Sequence, residues 1–307
     1  MSHKEPDPSE VPVKYGTERR LFTLRILRPH EVPQHPALPL QPNAPDMPQP
    51  DIKSFINTAL SESLGFIDET WPVLASKGEK ASPPSKAKVA LFGKDINNPH
   101  GAPECWFARR SIHEGRKEEG TADWGEFVSG LFDGHSVNEK EYTPDVFDAR
   151  KILDWGEDVG KAFEGDEQWA EVSMCAYEMA HKIPVLSNRV FPELIIAAKY
   201  KPHTPHHSAF VFVQIPLNLE TSPDAFYSNG SNKTKGEGLQ KKDVVLGRYV
   251  SMERCIERAD GKISWEMATA SDAAGALPMP LQKFGVPAAV VKDVGLFLSW
   301  TAKRRGP

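Results

Sequence analysis

Cysteine is scarce in this chain: 307 residues carry three, Cys105, Cys175 and Cys255, widely spaced and odd in number. That excludes a disulfide framework and reads as buried thiols in a reducing compartment. Long apolar runs are missing too, so no transmembrane helix is expected. The opening MSHKEPDPSE lacks the apolar stretch of a secretory signal, and the expected setting is the cytoplasm. Positive charge is not in excess, with 37 Lys and Arg against 42 Asp and Glu and a net charge of −5. Nucleic acid is therefore not an expected partner.

The signatures of common cofactor and nucleotide chemistry are absent as well. No Gly-x-Gly-x-x-Gly follows a strand-like run, and the segment from Gly236 to Lys242 (GEGLQKK) lacks phosphate-loop spacing. There is no Gly-x-Ser-x-Gly nucleophile elbow. His203, His206 and His207 cluster locally, but no cysteine or acid stands at ligand spacing and Pro202 and Pro205 mark a solvated turn. Neither a metal nor a cofactor is expected.

What is present begins with proline. The first fifty residues hold eleven prolines, densest between Pro29 and Pro50. Such density removes backbone donors and favours polyproline II, so residues 1–50 read as a disordered tail. Its Leu38-Pro39-Leu40-Gln41-Pro42 and Pro48-Gln49-Pro50 stretches suggest docking to SH3- or WW-type partners. Residues 51–307 are long enough for one buried core.

Within that domain, Asp51 is a good N-cap, and Ile52, Phe55, Ile56, Ala59, Leu60, Leu64 and Ile67 follow at helical spacing. Residues Ser76 to Lys88 read as loop. Cys105–Glu114 fits a strand, Trp124–Leu131 a short helix and Arg150–Phe163 another. Glu171–Ile183 reads as a strand, with a helix as the alternative. Ser208–Leu219 (SAFVFVQIPLNL) is apolar on both faces and so a buried strand, with a bulge or an edge at Pro216. Thr221–Lys242 is polar and glycine-rich, a long surface loop. Two strands, Val244–Arg258 and Lys262–Ala270, then flank Asp260-Gly261, the favoured type I′ hairpin pair. Pro287 suits the first turn of a final helix with Val290, Val291, Val294, Phe297, Leu298 and Thr301 on one stripe.

The stretch YVSMERCIERADGKISWEMATASDAAGALPMPLQ, with YEMAHKIPVLSNRVF upstream, resembles START-related proteins of the SRPBCC, helix-grip superfamily. More narrowly it resembles a fungal family classed as domain of unknown function 3074. Gly275-Ala276-Leu277-Pro278 stands where START domains carry a Gly-x-Leu/Ile-Pro element before their last helix. The resemblance implies an α+β helix-grip fold, a curved antiparallel sheet around a long C-terminal helix with a hydrophobic cavity between them. It implies a lipid-like or other hydrophobic small molecule as partner, with transient membrane contact. It does not choose between a carrier and a cofactor-free cyclase, aromatase or isomerase acting on a polyketide- or terpenoid-like intermediate.

The hairpin yields site candidates. With Asp260 and Gly261 as the two turn residues, Arg254 faces Met267, Met252 faces Thr269 and Ile256 faces Trp265. Directed at the cavity, that face would supply Met252, Arg254, Ile256, Trp265, Met267 and Thr269 as ligand contacts, joined by Val294 and Phe297 of the last helix. Arg254 then either anchors an acidic ligand group or pairs with a neighbouring carboxylate. For an enzyme, Arg254, Glu178, His181 and Arg110 are the catalytic candidates. Glu178 and His181 would point to opposite faces of a strand and share a face of a helix. Asp272 reads as turn chemistry.

Overall fold

A computed structural model describes residues 20–41, 48–71, 74–98, 103–183, 187–201, 208–274 and 279–306. The Asp51 carboxylate accepts the Ser54 N–H at 2.9 Å and starts helix α1 (Ile52–Gly65), which continues through a π-helical turn, Phe66–Thr70. Its buried residues Phe55, Ile56, Ala59 and Leu60 keep the expected helical spacing. Three strands follow, β1 (Ala75–Lys80), β2 (Val89–Ile96) and β3 (Glu104–His113). Next come α2 (Trp124–Phe127), α3 (His135–Tyr142), β4 (Val146–Asp154) and α4 (Gly156–Ala162). The long strands β5 (Trp169–His181), β6 (Asn188–Tyr200) and β7 (Ala209–Pro216) precede a short helix, α5 (Asn232–Lys235). The chain closes with β8 (Val244–Leu246), β9 (Arg248–Glu257), β10 (Ile263–Asp272) and helix α6 (Met279–Arg304).

Among the described residues these strands form one sheet in the order β1-β2-β3-β10-β9-β7-β6-β5-β4 with antiparallel neighbours, while β8 runs parallel beside the start of β6. Alternation of side chains gives the sheet two apolar faces. On one, Met174, Leu194, Ile196, Val211, Met252 and Ala268 pack beneath α1 and the N-terminal segment. On the other, Phe210, Cys255, Trp265 and Met267 meet the Val290, Val294, Phe297 and Leu298 stripe of α6. β7 lies between β6 and β9 and is buried throughout, as a strand apolar on both sides must be. Pro216, at its end, accepts the Leu27 N–H on its carbonyl.

Several expectations are corrected. Residues 20–41 are not a disordered tail but part of the domain. Phe22, Leu24, Leu27, Val32 and Leu38 are buried in the α1-side core, and Leu27 pairs with Leu217. Glu62 accepts the N–H groups of Leu21 and Phe22 at 2.7 and 2.9 Å, and Glu104 accepts that of Leu24. Within the stretch considered for docking, Leu38 turns into the core while Leu40 is exposed; residues 42–47 lie outside the described ones, as do 1–19. Residues 75–80 form an edge strand whose side chains are all exposed, so it carries no hydrophobic signal. The stretch 150–163 is not one helix but the end of β4 and then α4. Helix α6 begins at Met279, and Pro287 lies inside it. Cys105 and Cys175 are half-buried; only Cys255 is fully buried.

The hairpin differs in one residue with large effect. Arg258 N–H donates to Lys262 O at 2.8 Å and Gly261 N–H to Arg258 O at 2.9 Å, and Gly261 has φ +76°. The loop is therefore three residues, Ala259–Gly261, closed by a glycine in the left-handed region. Arg254 faces Glu266, Met252 faces Ala268 and Ile256 faces Ser264. The shift of one residue moves the even-numbered side chains of β9 away from the α6 face.

Candidate functional site

A cavity of about 310 Å³ lies between the α6 face of the sheet, α3 and the first half of α6. Its apolar wall comes from Met179 on β5, Phe191 on β6, Met267 on β10 and Val286, Val290 and Leu296 on α6. Strand alternation explains the selection, since every sheet residue in that wall is odd-numbered and faces α6. The polar wall is supplied by Glu139 of α3, Asp145, His181, Glu193, Gln214, Tyr249, Thr269, Ser271 and Asp293.

Glu193 and Gln214 belong to a buried hydrogen-bonded group. Gln214 donates its amide to Glu193 Oε2 at 2.7 Å, and Ser251 donates its hydroxyl to Gln214 Oε1. One turn deeper, Trp265 Nε1 donates to Glu253 Oε2 at 2.5 Å, while Arg109 Nη2 lies 3.5 Å from the same oxygen. Arg109 is 1% exposed and its guanidinium sits 4.0 Å over the Trp265 ring. His135 Nδ1 bonds the Leu131 carbonyl at 2.9 Å, which makes Nδ1 the protonated nitrogen of the neutral ring. Its Nε2 is then an acceptor, 3.8 Å from both Glu139 Oε2 and Glu253 Oε1.

Removal from water sets the charge state of this wall. Burial, reinforced by Asp293, pushes the Glu139 carboxyl up to about 8, and burial pushes Asp293 up to about 7. Glu193 is held well above the usual carboxylate range by burial and by Glu139. Burial lowers His181 to about 4, so its ring is neutral near pH 7. The wall thus presents neutral or partly ionised carboxyls to an apolar space.

The residues singled out in the sequence fall on both sides of the sheet. Met267 and Thr269 line the cavity, and so does His181. Trp265, Val294 and Phe297 share that face but sit in the closed part of the interface, where Phe297 meets Trp265 edge to face and Phe127 at a tilt. Met252, Arg254 and Ile256 are on the opposite face. There Glu266 binds Arg110 Nε at 2.7 Å and Arg254 at 2.8 Å, a ladder across β3, β10 and β9. Asp68 caps it at 3.0 Å from Arg254. Arg254 and Arg110 are thus structural ion-pair members, not cavity groups.

Glu178, 0% exposed, also faces away from the cavity. Its carboxylate accepts the N–H groups of Phe226, Tyr227 and Ser228 at 2.9, 3.0 and 2.6 Å and so pins the 221–242 segment. Tyr227 Oη and Gln240 Nε2 both donate to Asp148, adding a second anchor for that segment. Asp272 accepts the Ala274 N–H in a local turn, as expected. His203, His206, His207 and the Gly275–Pro278 element lie outside the described residues. Among the described residues no three His, Cys, Asp or Glu groups stand close enough to hold a metal ion, and no helix is long and apolar enough to cross a membrane.

The comparisons agree with this architecture. The chain superimposes on human StAR-related lipid transfer protein 5 with a TM-score of 0.55 at 12% identity, covering 82% of this chain and 97% of that one. Human STARD10 gives 0.52 at 10% identity, covering 85% of this chain and 84% of that one. At such low identity the likeness shows the fold. No curated protein matches the sequence. The family model described as "Protein of unknown function (DUF3074)" matches residues 106–301, nearly two thirds of the chain. With a curved antiparallel sheet gripping its last helix, this chain has a START-like helix-grip fold and belongs to the DUF3074 family.

Proposed function

We propose that this protein binds a hydrophobic small molecule in the cavity between the sheet and α6, shielding it from water for storage or transfer. The observation that carries the reading is the cavity of about 310 Å³ itself, walled by Met179, Phe191, Met267, Val290 and Leu296 where sheet and helix otherwise pack closed. Packed interiors hold few voids larger than a water molecule, so a space of that size is not a packing remnant. It also matches the small end of organic-ligand pockets, roughly 300–1,000 Å³. One protein that shares the fold is named for lipid transfer, which supports the same class of cargo here.

The test is uptake of a fluorescent acyl-chain probe by the purified protein and by Ser271→Trp, which places an indole in the cavity wall. The reading expects saturable binding by the first and at least tenfold weaker binding by the second. Equal binding by both would mean that the probe sits elsewhere and would overturn it.

A second reading, a cofactor-free cyclase or isomerase, is favoured by Glu139 and Asp293. Carboxyls held to about 8 and about 7 retain protons near neutral pH and can donate to a ligand carbonyl in the cavity. Its test is mass analysis of an extracted ligand before and after incubation with fresh protein, where an altered product would favour the enzyme.

A further inference from the structure

The polar wall of the cavity is unbalanced. Four carboxyls line it: Glu139 on α3, Asp145 just ahead of β4, Glu193 on β6 and Asp293 on α6. Glu193 is 2% exposed, and only its Oε2 is engaged, by Gln214; its Oε1 has no hydrogen-bond partner among the described residues. Neither Asp293 nor Glu139 has a side-chain hydrogen bond among those residues, and the nearest base to Glu139 is the neutral His135 at 3.8 Å. The buried cation of the region, Arg109, lies over the face of Trp265 and 3.5 Å from Glu253; its Nε and Nη1 have no hydrogen-bond partner, it does not line the cavity, and its charge favours the ionised form of Asp293. Lys292 also lines the cavity, is exposed, and favours the ionised form of Asp293.

The carboxyls are close enough for Asp293 to raise the proton affinity of Glu139, and Glu139 that of Glu193. No group of three His, Cys, Asp or Glu side chains among the described residues could hold a metal ion. An organic cation needs no such closed ligand shell and carries several donors on one charge. An ammonium group placed there would let a carboxyl ionise and would supply up to three N–H donors to unpartnered oxygens. A hydroxyl would fill hydrogen bonds without the charge gain, and a carboxylate or phosphate would meet repulsion. The volume of about 310 Å³ and the apolar wall suit one chain rather than two.

We infer that the cavity selects a single-chain apolar molecule ending in a protonated amine, with its ammonium seated among Glu139, Glu193 and Asp293. The inference rests on the cavity being a ligand site, and it names the class of ligand.

The experiment is calorimetric titration of the full-length protein at pH 7.5 with dodecylammonium, dodecanol and dodecanoate below their aggregation limits. These share one tail and differ only in the head group. The expected order is the amine at least tenfold tighter than the alcohol, with the carboxylate weakest. In Glu193→Gln and in Asp293→Asn, each close in shape to the original, the preference for amine over alcohol falls to about threefold or less. The inference is overturned, with the cavity reading intact, if dodecanoate matches the amine, if all three bind alike, or if both variants keep the full preference. If none of the three binds, or if Ser271→Trp leaves binding of all three unchanged, the cavity reading fails and the inference with it.

Discussion

Replacing Glu178 by alanine should release the 221–242 segment and leave the cavity untouched. The carboxylate is fully buried and accepts three successive backbone N–H groups, those of Phe226, Tyr227 and Ser228. Each buried donor left without a partner costs about 1–3 kcal/mol. Opening of the segment lets water reach some of them, so the sum settles near the low end, about 3–5 kcal/mol. At roughly 2–4 °C per kcal/mol for a domain of this size, Tm should fall by about 6–20 °C. Glu178→Gln should lose less, because the amide oxygen still accepts while its NH₂ opposes one donor. Thermal melts give the magnitude, and hydrogen exchange at residues 226–228 gives the place. A loss below about 1 kcal/mol, with protection at those amides unchanged, would refute the anchoring role. Loss of ligand uptake in a folded Glu178→Gln would refute its placement on the far face.

Three further outcomes follow from the same coordinates. Arg254→Ala should leave ligand uptake unchanged and cost about 1–3 kcal/mol, since it removes one partner of the buried Glu266 while Arg110 remains; abolished uptake in a folded variant would contradict the hairpin register. Deleting residues 1–50 should prevent folding, because Phe22, Leu24, Leu27, Val32 and Leu38 each contribute about 1.5–3 kcal/mol of burial against a total stability of about 5–15 kcal/mol; a cooperative melt near that of the whole chain would contradict it. Stability should fall as pH rises from 6.5 to 8. Glu139 and Asp293 hold their protons to about 8 and about 7 when folded and ionise near 4 when unfolded, so the unfolded chain binds fewer protons in that window. The loss is about 2 kcal/mol by linkage. Glu139→Gln with Asp293→Asn should flatten it in denaturant titrations, and an unchanged slope would contradict the burial of these acids. Below pH 6.5 the sign reverses for His181, lowered to about 4, because the unfolded chain then binds the extra proton.

Much of the fold was legible where a single face or a single period decides the outcome. The helix after Asp51, the doubly apolar β7 and the Val290–Thr301 stripe all follow from local pattern. The losses have physical causes. β1 has no buried side chain, so nothing in its composition distinguishes it from loop. β4 is broken by register shifts after Val146 and Lys151, which destroy the period of two and let Arg150–Phe163 pass for a helix. The N-terminal segment is held by Glu62 and Glu104, carboxylates some 40 and 80 residues away, and no local window contains them.

The site was half legible for a similar reason. Met267, Thr269 and His181 reach the cavity, but whether the hairpin loop has two residues or three decides where β9 points, and Ala259-Asp260-Gly261 supports either. The cavity acids went unnoticed although a signal was there. Glu193 interrupts the apolar run from Val190 to Ala198 in β6, Gln214 interrupts the otherwise apolar β7, and Asp293 interrupts the α6 stripe. A lone acid or amide in such a run must find a buried partner or a ligand.

The most direct test of the central claim is native mass spectrometry, with organic extraction, of the protein purified from its own source beside Ser271→Trp made there. The account predicts a stoichiometric apolar molecule on the natural protein and its loss from the variant. A natural protein that carries nothing, and takes up no added lipid, sterol or long-chain amine, would contradict it.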